Sequence, residues 1–170
     1  MKIVIAPDSF KECLTAGEVA SAIASGISAA CPGAEVVRVP LSDGGEGMAA
    51  ILTERFGGEV VGVPVSGPMG EEVEAHYGRI GDTAVLDIAS ACGIQLVPPE
   101  KRNPLIATSR GVGELIAAAI RSGCDELVIG LGGSATCDGG EGMMTVPGLP
   151  DIVAGIRIRA LCDVEHTFVG

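Results

Sequence analysis

The stretch KIVIAPDSFKECLTAGEVASAIASGISAACPGAEVVRVPLSDGGEGM, residues 2–48, decides the fold class. Lys2 to Ala6 is a short apolar run that stops at Pro7-Asp8-Ser9, the profile of a buried strand ending in a loop. Thr15 and Glu18 stand at capping-box spacing. Val19, Ala22, Ile23, Ala24 and Ile27 then recur at helical intervals up to Cys31, before Pro32-Gly33. Glu35 to Leu41 reads as a second strand, and Ser42-Asp43-Gly44-Gly45-Glu46-Gly47 is a loop that hands over to a helix running to about Phe56. The order strand, loop, helix, strand, loop, helix predicts a parallel sheet with helical crossovers.

Composition agrees with that class. A chain of 170 residues can bury about two-thirds of its unfolded surface. Hydrophobic residues make up 47%, but aromatics only 2% and Trp is absent, so Val, Ile, Leu and Ala must supply the core, as suits a parallel sheet covered by helices. Glycine is the outlier, with 26 residues against an average of about 7%. Many tight loops are implied.

The formal charge of −11 argues against nucleic acid or an anionic membrane face as partner, since both need clustered Lys and Arg. The first residues are too short an apolar run for a signal-peptide core, and no run is long enough to span a bilayer. Six cysteines, Cys13, Cys31, Cys92, Cys124, Cys137 and Cys162, contain no C-x-x-C pair, which speaks against a zinc site or redox dithiol. Buried thiols in a reducing cytoplasm are expected.

From Gly57 to Ile88 the pattern changes. Val60, Val61, Val63 and Val65, then Val73, Ala75, Tyr77 and Ile80, then Ala84 to Ile88 read as strands around the turn Gly67-Pro68-Met69-Gly70. This predicts a hairpin-rich second module, with domains over 1–65 and 66–170. Pro98 to Pro104 is a loop, Gly111 to Arg121 a helix, and Glu126 to Leu131 a buried strand followed by the cluster Gly132 to Gly140. A helix begun there is interrupted by Pro147 and Pro150. Ile156 to Leu161 is a last strand.

Three loops share one design, an apolar strand ending in small residues with at least one carboxylate: Pro7 to Lys11, Ser42 to Gly47, and Gly132 to Gly140. In open α/β sheets ligands sit beyond the carboxyl ends of the strands, so the three are expected to converge on one crevice. Glycines let backbone N–H groups approach phosphate oxygens, and the carboxylates fit a phosphate that arrives with a divalent cation or meets a Lys. No G-x-x-x-x-G-K-[ST] is present. Gly130-x-Gly132-x-x-Ala135 matches the loose dinucleotide fingerprint but lacks the strand-end acid that should follow. His76 and His166 have no Ser, Cys or Asp arrangement pointing to a triad, and His76 reads as an exposed strand residue.

The strings APDSFKECLTA (Ala6 to Ala16), SDGGEGM (Ser42 to Met48), EKRNPL (Glu100 to Leu105), TSRGVGELI (Thr108 to Ile116) and GLGGSATCDGGEGM (Gly130 to Met143) resemble the bacterial glycerate kinase family, in the same order. The resemblance implies an α/β fold in which a parallel-sheet Rossmann-like domain is joined by a second, smaller α/β module. It implies ATP and Mg2+, and phosphoryl transfer to D-glycerate, usually giving 2-phosphoglycerate. Carried over by motif, Asp8, Ser9 and Lys11 line the cleft with Asp43, Gly44, Gly45 and Glu46 facing them. Thr108, Ser109 and Arg110 bind carboxylate or phosphate. Gly132, Gly133, Ser134, Thr136, Gly139 and Gly140 wrap phosphate oxygens, and Asp138 or Asp163 holds the metal. Asp43, or failing it Asp8, is expected to deprotonate the attacking hydroxyl while Lys11 offsets charge.

The chain also departs from the family. Members are more than twice as long. Thr145 to Gly155 stand where a helix continues, and Glu165-His166-Thr167-Phe168 replace an expected Asn-Pro-Leu. The resemblance is therefore to the N-terminal part, internally shortened and truncated at its C-terminal side. Two expectations follow: an ATP-dependent kinase acting on glycerate, or a catalytically incomplete relative that serves only as a ligand-binding or interaction module.

Overall fold

The computed structural model describes residues 1–165 and 167. It divides into two compact units, Met1–Asp43 and Gly44–Gly170. Both are mixed α/β and contain parallel strand pairs.

In the first unit β1 (Lys2–Ile5) and β2 (Glu35–Arg38) pair in parallel, Lys2 opposite Glu35. The crossover is α1 (Ala16–Ala30). Its start is fixed locally, because the Thr15 side chain accepts the Glu18 N–H while the Glu18 carboxylate accepts the Thr15 N–H at 2.8 Å. The Thr15 N–H, and the Thr15 hydroxyl that donates to the same carboxylate oxygen at 2.8 Å, hold the exposed Glu18 carboxyl below its ordinary range. Ala16, Val19 and Ala20 are its buried face.

The second unit begins with α2 (Met48–Phe56), followed by β3 (Glu59–Ser66), β4 (Glu72–Ile80) and β5 (Thr83–Asp87) as an antiparallel meander. The short helix α3 (Ala89–Cys92) and the longer α4 (Arg110–Arg121) lead to β6 (Glu126–Gly130), which lies parallel to β5. Two single-turn helices, α5 (Glu141–Met144) and α6 (Leu149–Ile152), precede β7 (Arg157–Leu161), parallel to β6. The strand order is β3-β4-β5-β6-β7. The prolines explain the brevity of the last helices: α5 stops before Pro147, and Pro150 sits in the first turn of α6, where its missing N–H costs nothing.

Alternation along the strands separates two apolar layers. Ala84, Leu86, Leu127 and Ile129 join Tyr77, Leu115 and Ile116 in the main core, whereas Val85 and Val128 face Met48, Ala49 and Leu52 of α2. All five residues of β7 are exposed.

Two expectations are corrected. Only Cys92 and Cys124 are buried, while Cys13, Cys31, Cys137 and Cys162 are exposed because they sit in loops or at a helix end. His76 is half-buried rather than exposed, because α3 folds back and sets the Ser90 Oγ 2.7 Å from the His76 main-chain N and 3.2 Å from its Nδ1. His166 lies outside the described residues. Among the described residues no helix is long and apolar enough to cross a membrane.

Candidate functional site

The first unit brings together two of the acid-bearing loops. Beyond β1, Asp8 accepts the Ser9 N–H through Oδ1 at 2.6 Å, a tight local turn. Leu41 N donates to Pro7 O at 2.9 Å, which lays the chain beyond β2 beside the chain beyond β1. Lys11 Nζ then stands 3.2 Å from Asp43 Oδ2, and both side chains remain substantially open to solvent. A cation and a carboxylate thus meet beyond the carboxyl ends of two parallel strands.

In the second unit the same Asp43-Gly44-Gly45 loop continues into Gly44 and Gly45, and these two lie against the end of β6. Gly132 N donates to Gly44 O at 3.2 Å. A Cβ on Gly132 would come within 2.8 Å of Gly45 Cα, and one on Gly130 would overlap Gly44 O. These two glycines are required for one loop to dock on another, a role different from the approach to phosphate that the sequence suggests for Gly132.

The loop Gly132 to Gly140 is held at both ends. Ile94 N donates to Gly133 O at 3.0 Å and Ala135 N to Cys92 O at 2.8 Å, so the segment after α3 braces its first half. Burial pushes the Cys92 thiol up to about 11 despite a hydrogen bond from Thr136, so Cys92 is a structural support and no nucleophile. At the far end Asp138 is wrapped by donors. Its Oδ2 accepts Ser109 N and Ser109 Oγ, both at 2.8 Å, and Gly142 N at 3.1 Å, while Oδ1 accepts Gly140 N at 3.1 Å. Partial burial would raise this carboxyl, but the Ser109 and glycine donors outweigh it and hold it below the usual carboxylate range. Gly142 must lack a side chain here, since a Cβ would meet Thr108 Oγ1 and sit 2.8 Å from Asp138 Oδ2.

Between these fixed ends, among the described residues, the main-chain N–H groups of Thr136, Cys137 and Gly139 donate to no protein acceptor. Gly133, Gly139 and Gly140 have φ of 76°, 61° and 84°, the left-handed region that favours glycine.

The segment Thr108-Ser109-Arg110 opens α4. Ser109 is buried, and its hydroxyl also accepts Met143 N at 3.0 Å, so it is committed to holding the loop. Arg110 Nε donates to Glu114 Oε1 at 2.9 Å and Nη1 to Thr145 Oγ1 at 3.3 Å, leaving Nη2 without a protein partner among the described residues. Glu114 also accepts Ser66 N at 2.7 Å; burial raises its carboxyl, but Ser66 and Arg110 bring it below the ordinary range. Asp163 is exposed, beyond the end of β7. Among the described residues no group of three or more His, Cys, Asp or Glu side chains is placed to hold a cation, and Asp138 already takes four donors.

Sequence reasoning missed Asp87, at the end of β5. It is 1% exposed and accepts main-chain N–H groups from two helix starts. The available signal was a lone carboxylate in the apolar run Ala84 to Ile88.

Comparison with known proteins follows the same residues. The sequence model described as the glycerate kinase family matches residues 3–150. Glycerate kinase of Bacillus subtilis (strain 168) is 52% identical over 200 residues, which takes in all of this chain and 52% of that protein. Glycerate 2-kinase of Escherichia coli (strain K12) is 51% identical over 172 residues, all of this chain and 42% of that one. A crystal structure assigned as glycerate kinase 2 from Salmonella typhimurium LT2 superposes with a TM-score of 0.68 at 49% identity, covering 87% of this chain and 41% of that chain. The chain thus spans about half the length of the curated relatives it matches, or somewhat less.

Proposed function

This chain belongs to the glycerate kinase family, and from that premise we propose that it binds ATP and D-glycerate and serves transfer of the γ-phosphate to a glycerate hydroxyl. The products are ADP and phosphoglycerate. The 2-hydroxyl is the proposed acceptor, supported by the name of the Escherichia coli relative. The proposed setting is the cytoplasm.

One observation carries the reading: the loop Gly132 to Gly140 is clamped at both ends yet leaves the N–H groups of Thr136, Cys137 and Gly139 without protein acceptors among the described residues. Donors fixed in advance stabilise anionic oxygens with little reorganisation, which is what phosphoryl transfer requires of a protein. Arg110 offers Nη2 to the carboxylate or a phosphate, its fork already oriented by Glu114. Asp43 accepts the proton of the attacking hydroxyl, with Asp8 the second choice, and Lys11 offsets charge beside it. Magnesium would arrive with the nucleotide and would supply charge neutralisation on its phosphates.

A second reading, ligand binding without turnover, is favoured by β7, whose five exposed residues have no covering helix among the described residues. Calorimetry with Mg-ATP and a coupled ADP-release assay with and without D-glycerate separate the two. Glycerate-dependent ADP release is expected, and Asp43→Asn should lower it about 100-fold or more. Binding without release supports the second reading. A chain that neither binds nor turns over contradicts both.

A further inference from the structure

The carboxyl end of β5 carries an acid to which the proposed reaction gives no role. Asp87 Oδ2 accepts Ala49 N at 3.2 Å and Oδ1 accepts Ser90 N at 3.1 Å. Ala49 is the second residue of α2 and Ser90 the second of α3, and neither helix has a side-chain cap of its own. The residue before α2 is Gly47, at φ 84°, which has no side chain to offer. First-turn N–H groups lack intrahelical partners, and a cap normally comes from the adjacent residue. Here one buried carboxylate, from a strand 38 positions further along, caps both helices. Burial pushes its carboxyl up from the ordinary range, while the N–H of Ala49, the nearby His76 and the N–H groups of Ser90 and Gly47 draw it back.

The position of this acid matters more than its stability. Asp87 pairs in register with Gly130, the residue against which Gly44 O is packed. The segment Gly44 to Gly47 is therefore held at one end by Gly132 N and at the other by Asp87. Three of its four residues are glycines with no side chain of their own, and a glycine-rich loop is costly to order unless its backbone is anchored.

We propose that Asp87 is a positioning residue, which by capping α2 and α3 together fixes the Gly44 to Gly47 loop in the geometry that receives an anionic ligand, without touching that ligand itself. The ligand part rests on the reading given under Proposed function, while the anchoring part does not.

The test is Asp87→Asn in the full chain. Asn keeps the size, but its NH2 must face one of the two helix N–H groups. Amide exchange of the folded, ligand-free protein is expected to quicken about tenfold over residues 44–51, with residues 115–119 of α4 unchanged. Affinity for Mg-ATP should weaken by about tenfold. Leu127→Ala, a core truncation, serves as the control for general destabilisation and should leave both readouts alone. Unchanged exchange at 44–51 overturns the proposal. Quickened exchange with unchanged affinity overturns its ligand part. A wild-type chain that binds no Mg-ATP overturns that part together with the proposed function, and leaves the exchange result to decide the anchoring. Should Asp87→Asn fail to fold, the wild-type amides decide: Ala49 and Ser90 should be protected while Ala89, whose N–H meets no acceptor among the described residues, is not, and equal exchange at all three overturns the anchoring.

Discussion

Asp138→Asn separates a carboxylate that holds the loop from one that holds a metal. The substitution keeps shape and removes charge and one acceptor. The amide oxygen takes the position of Oδ2, where Ser109 N, Ser109 Oγ and Gly142 N converge. The NH2 must then face Gly140 N, whose bond to Oδ1 is lost. One donor left opposite a donor costs about 1–3 kcal/mol, and turning three charge-assisted bonds into neutral ones adds up to about 0.5 kcal/mol each, reduced by the partial exposure of the site. The net is about 2 kcal/mol. For a chain of 170 residues this lowers the unfolding midpoint of the second unit by about 4–8 °C.

The pH dependence has a definite sign. The folded carboxyl lies below its ordinary value, so its stabilisation is complete above the unfolded value of about 3.9 and is lost as pH falls through the lowered folded value. Urea midpoints of wild type and variant should differ by a constant amount at neutral pH and converge in strong acid. If Asp138 held metal instead, the variant would need far more magnesium for the same nucleotide affinity and would unfold at nearly the wild-type temperature. A midpoint within about 1 °C of wild type at neutral pH, or a difference that persists in strong acid, refutes the loop-holding role.

Gly132→Ala adds a Cβ 2.8 Å from Gly45 Cα and 3.0 Å from Gly45 N, backbone atoms that cannot swing aside. Overpacking of about 1–3 kcal/mol, less about 0.4–1 kcal/mol from the stiffer unfolded chain, should leave a loss of about 1–2 kcal/mol in urea unfolding, and a stabilised variant would contradict the docking of these loops. Lys11→Met removes an exposed ion pair worth at most about 1 kcal/mol, so the urea midpoint should hardly move while glycerate-dependent ADP release falls about 100-fold. Unchanged release removes Lys11 from the chemistry. Tyr77→Phe deletes a hydroxyl 2.8 Å from Ser122 Oγ, which keeps its bond to Ala119 O, so about 1 kcal/mol should be lost; a loss several times larger would mean that the core repacks.

Features legible in the sequence are those whose physics is local. Thr15 and Glu18 lie three positions apart, and alternating valines from Val61 to Val65 oppose Val73 to Tyr77 across the turn near Gly67, so cap and hairpin follow from neighbours along the chain. Lys11 and Asp43 were legible because two parallel strands end side by side. Asp87 was not, since its meaning depends on donors at Ala49 and Ser90 that only the closed sheet brings to it. His76 failed for the same reason, as its partner arrives with α3. The glycines were read by type, as places where phosphate could approach, but a sequence does not show that the atoms nearest Gly130 and Gly132 belong to Gly44 and Gly45.

An excess of acids, 22 against 11 Lys and Arg, sits awkwardly with a polypeptide read as receiving triphosphate and a carboxylic acid. Within each unit the difficulty is met residue by residue. Asp138 is enclosed by four donors, Asp87 by two helix starts, and Glu114 by Arg110 and Ser66, while Asp43 faces Lys11. Asp138, Asp87 and Glu114 each turn their negative charge onto N–H groups or a cation, and in doing so tie down chain segments that glycine alone would leave loose. In the second unit the groups left without a protein acceptor among the described residues are donors: the N–H groups of Thr136, Cys137 and Gly139, and Nη2 of Arg110. On the proposed reading an acid-rich loop serves as an anion receptor, because its carboxylates align the donors and are neutralised by others of the same kind.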